Sequence, residues 1–150
     1  RCIQACPTGA LKNPYELDAR LCISYHTIES RQIPEKNLYT KFGNLFFGCD
    51  ICQDVCPWNK KPLNQLTAQD VSKQDLIQEL NWILLASGKQ IEKKIKGSAL
   101  MRSGSFGLKR NALIVTNNLQ LTELVPAIKN LIDHPKLGPL AKDVLNTLLN

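Results

Sequence analysis

Hydrophobic residues in the C-terminal part of the chain recur with the period of an amphipathic helix. Between Leu76 and Leu84 the apolar side chains fall at i, i+1, i+4, i+7 and i+8, on one helical face. Ser72 lies just upstream, and Asp75 follows it three residues later, which resembles a capping box and predicts a helix start. A second helix is predicted over residues 106–116, and Asn117-Asn118, directly after this range, supplies a stop.

Two further helices are predicted after position 120. The first has apolar residues from Leu121 to Ile132 and contains Pro126, which a helix accepts only near its first turn. His134-Pro135 ends this helix, and apolar residues from Leu140 onward begin the last one. Short antiparallel helices with tight connections are typical of an α-solenoid of the HEAT type. The stretch is too short for periodicity alone to prove a repeat.

The first 61 residues contain few core-forming side chains. Pro7 predicts the first turn of a short helix, and a second short helix is expected around residues 18–27, within an otherwise irregular stretch. Lys60-Lys61-Pro62 indicates an exit into a linker. We therefore expect a mainly α chain with two units, residues 1–61 and 62–150, of which the first depends on bound metal for its fold.

The positive charge is confined to one segment. The chain has 19 basic and 13 acidic residues, a net charge of +6. Residues 89–110 contain seven basic side chains against Glu92 alone, so the rest of the chain is balanced. Such a basic stripe is typical of a surface that binds a polyanion, and equally of a solvated helix face. No signal peptide or apolar run of membrane-spanning length is present, so we expect a soluble cytoplasmic protein that does not bind membranes.

Two cysteine runs carry the clearest chemical signal. Cys2 and Cys6 precede Pro7, and Cys49, Cys52 and Cys56 precede Pro57. Both runs end in Cys-x3-Cys-Pro, as the bacterial ferredoxin run does, and two endings predict two [4Fe–4S] clusters. A ferredoxin-like cluster module followed by a HEAT-like repeat is the expected architecture. Two clusters need eight thiolates and the chain has six, so we expect the missing pair just upstream of Arg1.

The cysteine before each proline binds the other cluster in two-cluster ferredoxins. This rule assigns Cys2 and Cys56 to a first cluster, incomplete in this chain. It assigns Cys6, Cys49 and Cys52 to a second cluster, whose fourth ligand is then Cys22. Two alternatives stay open: Cys22 as a small buried apolar residue, and Cys49 with Cys52 as half of a zinc site. Zinc does not explain why the Cys-x3-Cys-Pro ending occurs twice.

Three blocks of the sequence closely resemble the epoxyqueuosine reductase family. They are CIQACPTGA at 2–10, RLCISYHTIE at 20–29 and FGCDICQDVCPWN at 47–59, and KGSAL at 96–100 with RNALIV at 110–115 extends the similarity. The isolated Cys22 block and the 47–59 block are the specific parts of the match. The similarity runs through most of the chain.

The resemblance implies an activity and its cofactors. Enzymes of this family reduce epoxyqueuosine to queuosine at the wobble position of tRNAs with GUN anticodons, using cobalamin and two [4Fe–4S] clusters. An N-terminal domain binds most of the cobalamin and supplies an acidic proton donor. The ferredoxin-like part passes electrons inward from an external donor, and a helical repeat grips the tRNA. The chain is expected to be inactive alone and to belong to a monomeric enzyme.

The basic stripe gives the candidate phosphate contacts for this tRNA. They are Lys93, Lys94, Lys96, Arg102, Lys109 and Arg110. Arg102 and Arg110 are favoured, because a guanidinium makes bidentate phosphate contacts. Two other classes remain open: a ferredoxin-type electron-transfer subunit, which the Cys22 block disfavours, and a reductive-dehalogenase-like cobalamin enzyme, which the helical repeat and basic stripe disfavour.

Overall fold

The computed structural model describes residues 1–59 and 71–150, and it is mainly helical, as expected. The predicted linker at Lys60-Lys61-Pro62 and the predicted boundary between residues 61 and 62 lie outside the described residues. The elements of the N-terminal part are α1 (Cys2–Ala5), β1 (Leu11–Asn13), β2 (Glu16–Leu17), a 3-10 turn (Ala19–Leu21), a π-helix (Tyr25–Glu29), α2 (Lys36–Tyr39), a 3-10 turn (Thr40–Phe42), α3 (Ile51–Asp54) and a 3-10 turn (Pro57–Asn59). The remaining elements are α4 (Lys73–Leu85), α5 (Gly88–Ile95), a 3-10 turn (Ala99–Arg102), α6 (Gly104–Asn118), a 3-10 turn (Thr122–Leu124), α7 (Val125–Lys129) and α8 (Gly138–Leu149).

The helix starts follow from local capping chemistry. Ser72 caps α4 as predicted, because its Oγ accepts the Asp75 N–H at 3.1 Å. The Asp75 carboxylate accepts the Ser72 hydroxyl at 2.6 Å, so the acidic partner binds the side chain of the cap. A complete capping box begins α5, where Ser87 Oγ accepts the Gln90 N–H and Gln90 Oε1 accepts the Ser87 N–H. Helix α5 is not among the helices predicted from the apolar periodicity.

The predicted helix from Leu121 to Ile132 is shorter in the structure. A 3-10 turn precedes α7, and Pro126 lies in the first turn of α7, the position where a helix tolerates proline. The N-terminal predictions differ more. The helix α1 ends before Pro7, and an antiparallel hairpin of β1 and β2 follows. The expected helix at 18–27 is replaced by a 3-10 turn and a π-helix with Cys22 between them.

The helix α6 lies at the centre of the fold. It packs against α4, α5 and α8, and on another side it contacts the π-helix and the 3-10 turn that follows α2. One apolar core therefore includes the helical layer together with Ile23, Tyr39 and Phe42 from the N-terminal part. Because these residues share a core with α6, the segment between the two cysteine runs is fixed on the helical layer.

A buried arginine makes the main polar connection between these parts. The side chain of Arg110 in α6 is fully buried, with none of its surface exposed. Its guanidinium donates to the carbonyl oxygens of Ser30 at 2.6 Å and Gln32 at 2.9 Å, and to that of His26. Burial lowers the pKa of Arg110 to about 10, so the guanidinium remains charged at neutral pH. These carbonyls lie in and just after the π-helix, whose C-terminal end favours a cation.

The neighbouring Asn111 extends this connection. Its Oδ1 accepts from Arg110 at 2.9 Å, and its amide donates to the carbonyls of Thr27 at 2.8 Å and Phe46 at 2.9 Å. Two adjacent side chains of α6 therefore bind backbone oxygens at both ends of the 26–46 segment. A buried carbonyl without a donor costs roughly 1–3 kcal/mol, so this pairing stabilises the segment's irregular path.

We predict that Arg110→Met lowers the free energy of unfolding by roughly 3 kcal/mol or more, because three buried carbonyls lose their donor. Urea unfolding followed by far-UV circular dichroism measures the effect. The matched control is Arg102→Met, which removes an exposed guanidinium paired with Glu29 and should cost less than about 1 kcal/mol. Equal losses in the two variants would contradict the structural role of Arg110.

Candidate iron–sulfur site

Four cysteines from three separate segments line one cavity. The cavity has a volume of about 250 Å³, and Cys6, Cys22, Cys49 and Cys52 all face it. The walls between them are mainly apolar and come from Pro7, Ala10, Leu11, Leu17, Ile23 and Ile51. The structure therefore brings together the set of four thiols that the cysteine count assigns to the second cluster.

Local backbone structure positions each of these thiols. Cys6 follows α1 in an extended conformation, and Cys22 follows the 3-10 turn that Asp18 caps. Cys49 precedes α3 and Cys52 lies within it. The helices α1 and α3 pack against each other, so the two cysteine runs meet, and the Cys22 segment reaches the cavity from the helical layer.

The thiols of this cavity differ in their electrostatic environment. Burial acts to raise the pKa of Cys6, but N–H groups of Leu11, Thr8 and Ala10 and the Thr8 hydroxyl favour the thiolate, and the pKa is lowered. The Thr8 Oγ1 lies 3.6 Å from the Cys6 sulfur. Hydrogen bonds to sulfur of this kind favour the anionic ligand form and tune cluster potentials.

Burial raises the pKa of Cys49 and of Cys52. Repulsion between neighbouring thiolates raises both pKa values further. Cys49 is affected by Cys22, Cys52 and Cys6. Cys52 is affected by Cys22 and Cys2. Four sulfurs that repel one another as thiolates favour a bound cation that neutralises them.

The spacing of the thiols bears on the kind of metal. Among residues 1–59 and 71–150, no three His, Cys, Asp or Glu side chains converge on the position of a single metal ion. A structural zinc site needs four such ligands around one ion. In a [4Fe–4S] cubane each cysteine binds a different iron atom, so the sulfurs stand further apart around a larger space. Four thiols around one mainly apolar cavity are a ligand set that suits a [4Fe–4S] cluster, and the alternative of a zinc site at Cys49 and Cys52 stays open.

The other two cysteines lie outside this cavity. Cys2 is in α1 and Cys56 lies between α3 and the 3-10 turn that begins at Pro57. Cys2 within α1 corresponds to Cys52 within α3, and Cys56 after α3 corresponds to Cys6 after α1. Their assignment to the first cluster stays a prediction.

A buried threonine connects the Cys22 segment to the second cysteine run. The Thr27 hydroxyl is fully buried, donates to the Ile23 carbonyl at 2.9 Å and accepts the Gly48 N–H at 3.0 Å. Gly48 has φ of +79°, a conformation that favours glycine, and Cys49 follows it directly. The π-helix is therefore the element that joins Cys22 to Cys49, and π-helical turns occur frequently at functional sites.

A second contact supports Cys52. The Asn59 amide donates to the Gln53 carbonyl at 3.1 Å and to Gln53 Oε1 at 2.9 Å. The Gln53 amide nitrogen in turn lies 3.9 Å from the Cys52 sulfur. Asn59 thus orients a side chain that contacts a thiol, without contacting the thiol itself.

Five of the six predicted phosphate contacts fall into three groups that differ in exposure and in their protein partners. Lys93 and Lys96 are exposed. Lys94 and Arg102 are exposed but paired, Lys94 with Glu79 at 2.9 Å and over the Trp82 ring, and Arg102 with Glu29. Lys109 is half-buried and donates to the Leu84 carbonyl at 2.9 Å.

The prediction for Arg110 needs correction. Its guanidinium is fully buried and is bound to three backbone carbonyls, so no phosphate can reach it. The positive charge of Arg110 therefore lies in the protein interior and is not part of the basic surface. The other five basic residues stay predictions.

These features define a class of protein, an iron–sulfur protein whose cysteine-bearing part packs on a helical layer. Residues 1–59 match the family described as a 4Fe-4S double cluster binding domain. Curated relatives give the particular family. The chain is 41% identical over 121 residues to an epoxyqueuosine reductase of Synechococcus sp. (strain CC9605), covering 74% of this chain and 36% of that protein. It is 36% identical over 131 residues to that of Escherichia coli (strain K12), covering 83% of this chain and 33% of that protein.

Solved structures agree with these relatives. Epoxyqueuosine reductase from Bacillus subtilis superposes with a TM-score of 0.82 at 28% identity, over 98% of this chain and 40% of that one. A crystal structure of an epoxyqueuosine reductase with an epoxyqueuosine-modified tRNA-Tyr stem loop superposes with a TM-score of 0.80 at 27% identity, over 99% of this chain and 40% of that one. The chain belongs to the epoxyqueuosine reductase family and spans about a third of the length of its curated relatives. No helix in residues 1–59 and 71–150 has the length and apolar character needed to cross a membrane.

We predict that Thr27→Val makes the cluster-loaded protein release iron to a chelator faster than the wild type. Valine matches threonine in shape but leaves the buried Gly48 N–H unpaired, at a cost of about 1–3 kcal/mol next to Cys49. The decay of visible absorption measures the release. Thr27→Ser retains the hydroxyl and is the matched control. Identical decay for the valine and serine variants would show that the hydroxyl does not hold the Cys49 loop.

Proposed function

We propose that this chain is the cluster-bearing, tRNA-binding portion of an epoxyqueuosine reductase, an oxidoreductase that reduces epoxyqueuosine to queuosine at the tRNA wobble position. The observation that carries the proposal is the cavity in which Cys22 meets Cys6, Cys49 and Cys52. A simple ferredoxin run does not require the isolated Cys22 block, and the family that contains it supplies the reaction.

The chain's own residues have defined tasks in this proposal. Cys6, Cys22, Cys49 and Cys52 hold one [4Fe–4S] cluster, and Cys2 and Cys56 are ligands of the other. The bound clusters supply one-electron transfer. Apolar side chains such as Leu11 and Ile23 limit water at the cavity, and the N–H groups around Cys6 stabilise the thiolate.

The remaining components lie outside this chain. Cobalamin is bound mainly by another part of the enzyme, an external donor supplies electrons, and the substrate is a tRNA with a GUN anticodon. The protein acts as a cytoplasmic monomer. The exposed Lys93 and Lys96, with Lys94, Arg102 and Lys109, contact the RNA phosphates, which gives affinity and salt dependence.

We predict that Cys22→Ala lowers the iron content of the anaerobically reconstituted protein by about one cluster, roughly four iron atoms per chain, and reduces its visible absorption. Iron analysis and absorption spectroscopy measure the change. Ser24→Ala, in the same block, is the matched control and should retain the full iron content. If Cys22→Ala bound as much iron as the control, Cys22 would not be a cluster ligand.

We predict that Lys93→Gln and Lys96→Gln each weaken binding of an anticodon stem-loop RNA and each reduce the slope of log Kobs against log salt by about one. Both lysines are exposed, so the substitutions should leave the fold and the iron content unchanged. Fluorescence anisotropy over a salt series measures the effect. Binding that neither variant changes would remove the basic stripe from RNA recognition.

A further inference from the structure

A second cavity lies where the N-terminal ends of α5 and α6 meet the turn after α7. Its volume is about 340 Å³. The polar side chains around it are Ser105, Lys109, His134 and Lys136, and Gly88 and Phe106 complete the rim. None of the thiols of the iron–sulfur site lines it.

Lys109 presents an ammonium group to this cavity from partly inside the protein. One of its three N–H groups donates to the Leu84 carbonyl at the end of α4, at 2.9 Å. The other two remain available for an oxygen ligand. Burial lowers the pKa of Lys109, because the ammonium group has lost part of its water. An anion in the cavity would stabilise the charged form.

His134 has its ring orientation and tautomer set by the backbone. Its Nδ1 lies 3.2 Å from the Lys136 N–H and 3.1 Å from the Leu137 N–H, and it accepts from both. In the neutral imidazole the other nitrogen, Nε2, must then carry the proton. His134 is therefore a hydrogen-bond donor at the cavity.

Lys136 provides the third donor and a second positive charge. Its Nζ lies 5.8 Å from the centre of the Phe106 ring, a cation–π contact that keeps the ammonium at the cavity. Among residues 1–59 and 71–150, the side chains that line the cavity include two lysines and a histidine and no carboxylate. Glu92 contacts Ser105 Oγ at 3.2 Å but is not part of the lining. A cavity lined by two lysine ammonium groups and a histidine donor suits an anion with several oxygen acceptors.

We propose that this cavity binds a phosphate group of the RNA backbone through Lys109, His134 and Lys136. The proposal rests on the proposed tRNA binding, and it adds His134 and Lys136, which lie outside the basic stripe. RNA is favoured over a small phosphate compound because the cavity lies between α5 and α6. Helix α5 lines the cavity with its first residue, Gly88, and carries Lys93 and Lys94 of the stripe further along.

Lys136→Gln in the cluster-loaded protein tests the proposal, because Lys136 is exposed and its replacement leaves the core intact. We expect it to weaken binding of an anticodon stem-loop RNA about five- to tenfold at ~0.1 M salt and to reduce the salt slope by about one. Lys109→Gln should act in the same direction. Lys129→Gln is the matched control, since it removes an exposed lysine that does not line the cavity.

A parallel titration with inorganic phosphate, followed by calorimetry, distinguishes the source of the ligand. If Lys136→Gln weakens phosphate binding but leaves RNA binding and its salt slope unchanged, the cavity serves a small phosphate compound and the RNA assignment is overturned. If Lys136→Gln changes neither, or changes RNA binding no more than Lys129→Gln, there is no anion site. Loss of RNA affinity in Lys93→Gln alone would keep the proposed function and remove this cavity from it.

Discussion

The structure depends on the buried guanidinium of Arg110. A charged group removed from water is tolerated only when its donors are satisfied, and the carbonyls of His26, Ser30 and Gln32 satisfy them. The carbonyls of Ser30 and Gln32 lie just after the π-helix, beyond its own hydrogen-bonding pattern. The arginine and the 26–46 segment therefore each need the other, and Asn111 completes the arrangement at the Thr27 and Phe46 carbonyls.

This mutual dependence extends to the cysteines of the cavity. The segment that Arg110 and Asn111 hold lies between Cys22 and Cys49, and Thr27 connects it to Gly48. Ser103 adds another bond from the helical layer, because its hydroxyl donates to the Thr27 carbonyl at 3.0 Å. A ferredoxin uses the cluster itself to organise its loops. In this protein helix α6 and the residue before it also hold the segment between Cys22 and Cys49, through Arg110, Asn111 and Ser103.

Some of this organisation could be predicted from the sequence. The apolar periods identified α4 and α6, and the proline-marked runs with the leftover Cys22 identified the four thiols that share a cavity. The S-x-x-Q signal at Ser87 and Gln90 was also sufficient to predict α5. The role of Arg110 was not evident, because a basic residue in a basic stretch has the same sequence whether it is exposed or buried. Its position within α6, which is buried on nearly every side, was the signal that it lies inside.

The N-terminal details could not be predicted for a different reason. The hairpin has strands of three and two residues, too short for any period, and its turn places Tyr15 at φ of +65°. The π-helix depends on bonds that come from α6, more than seventy residues later in the chain. The sequence around the π-helix therefore does not indicate these donors, which are far away along the chain.

The adjacency of Lys109 and Arg110 in α6 has a geometrical consequence. Successive residues of a helix point about 100° apart. Helix α6 therefore directs Lys109 to the cavity that it lines with His134 and Lys136, and the next residue, Arg110, to the cysteine-bearing segment. Helix α6 therefore fixes the position of this cavity relative to the cysteine-bearing segment. A single-residue insertion between Lys109 and Arg110 would turn one of them away by more than a quarter of a revolution. We thus expect the length of α6 to be constrained as strictly as the identities of Arg110 and Asn111.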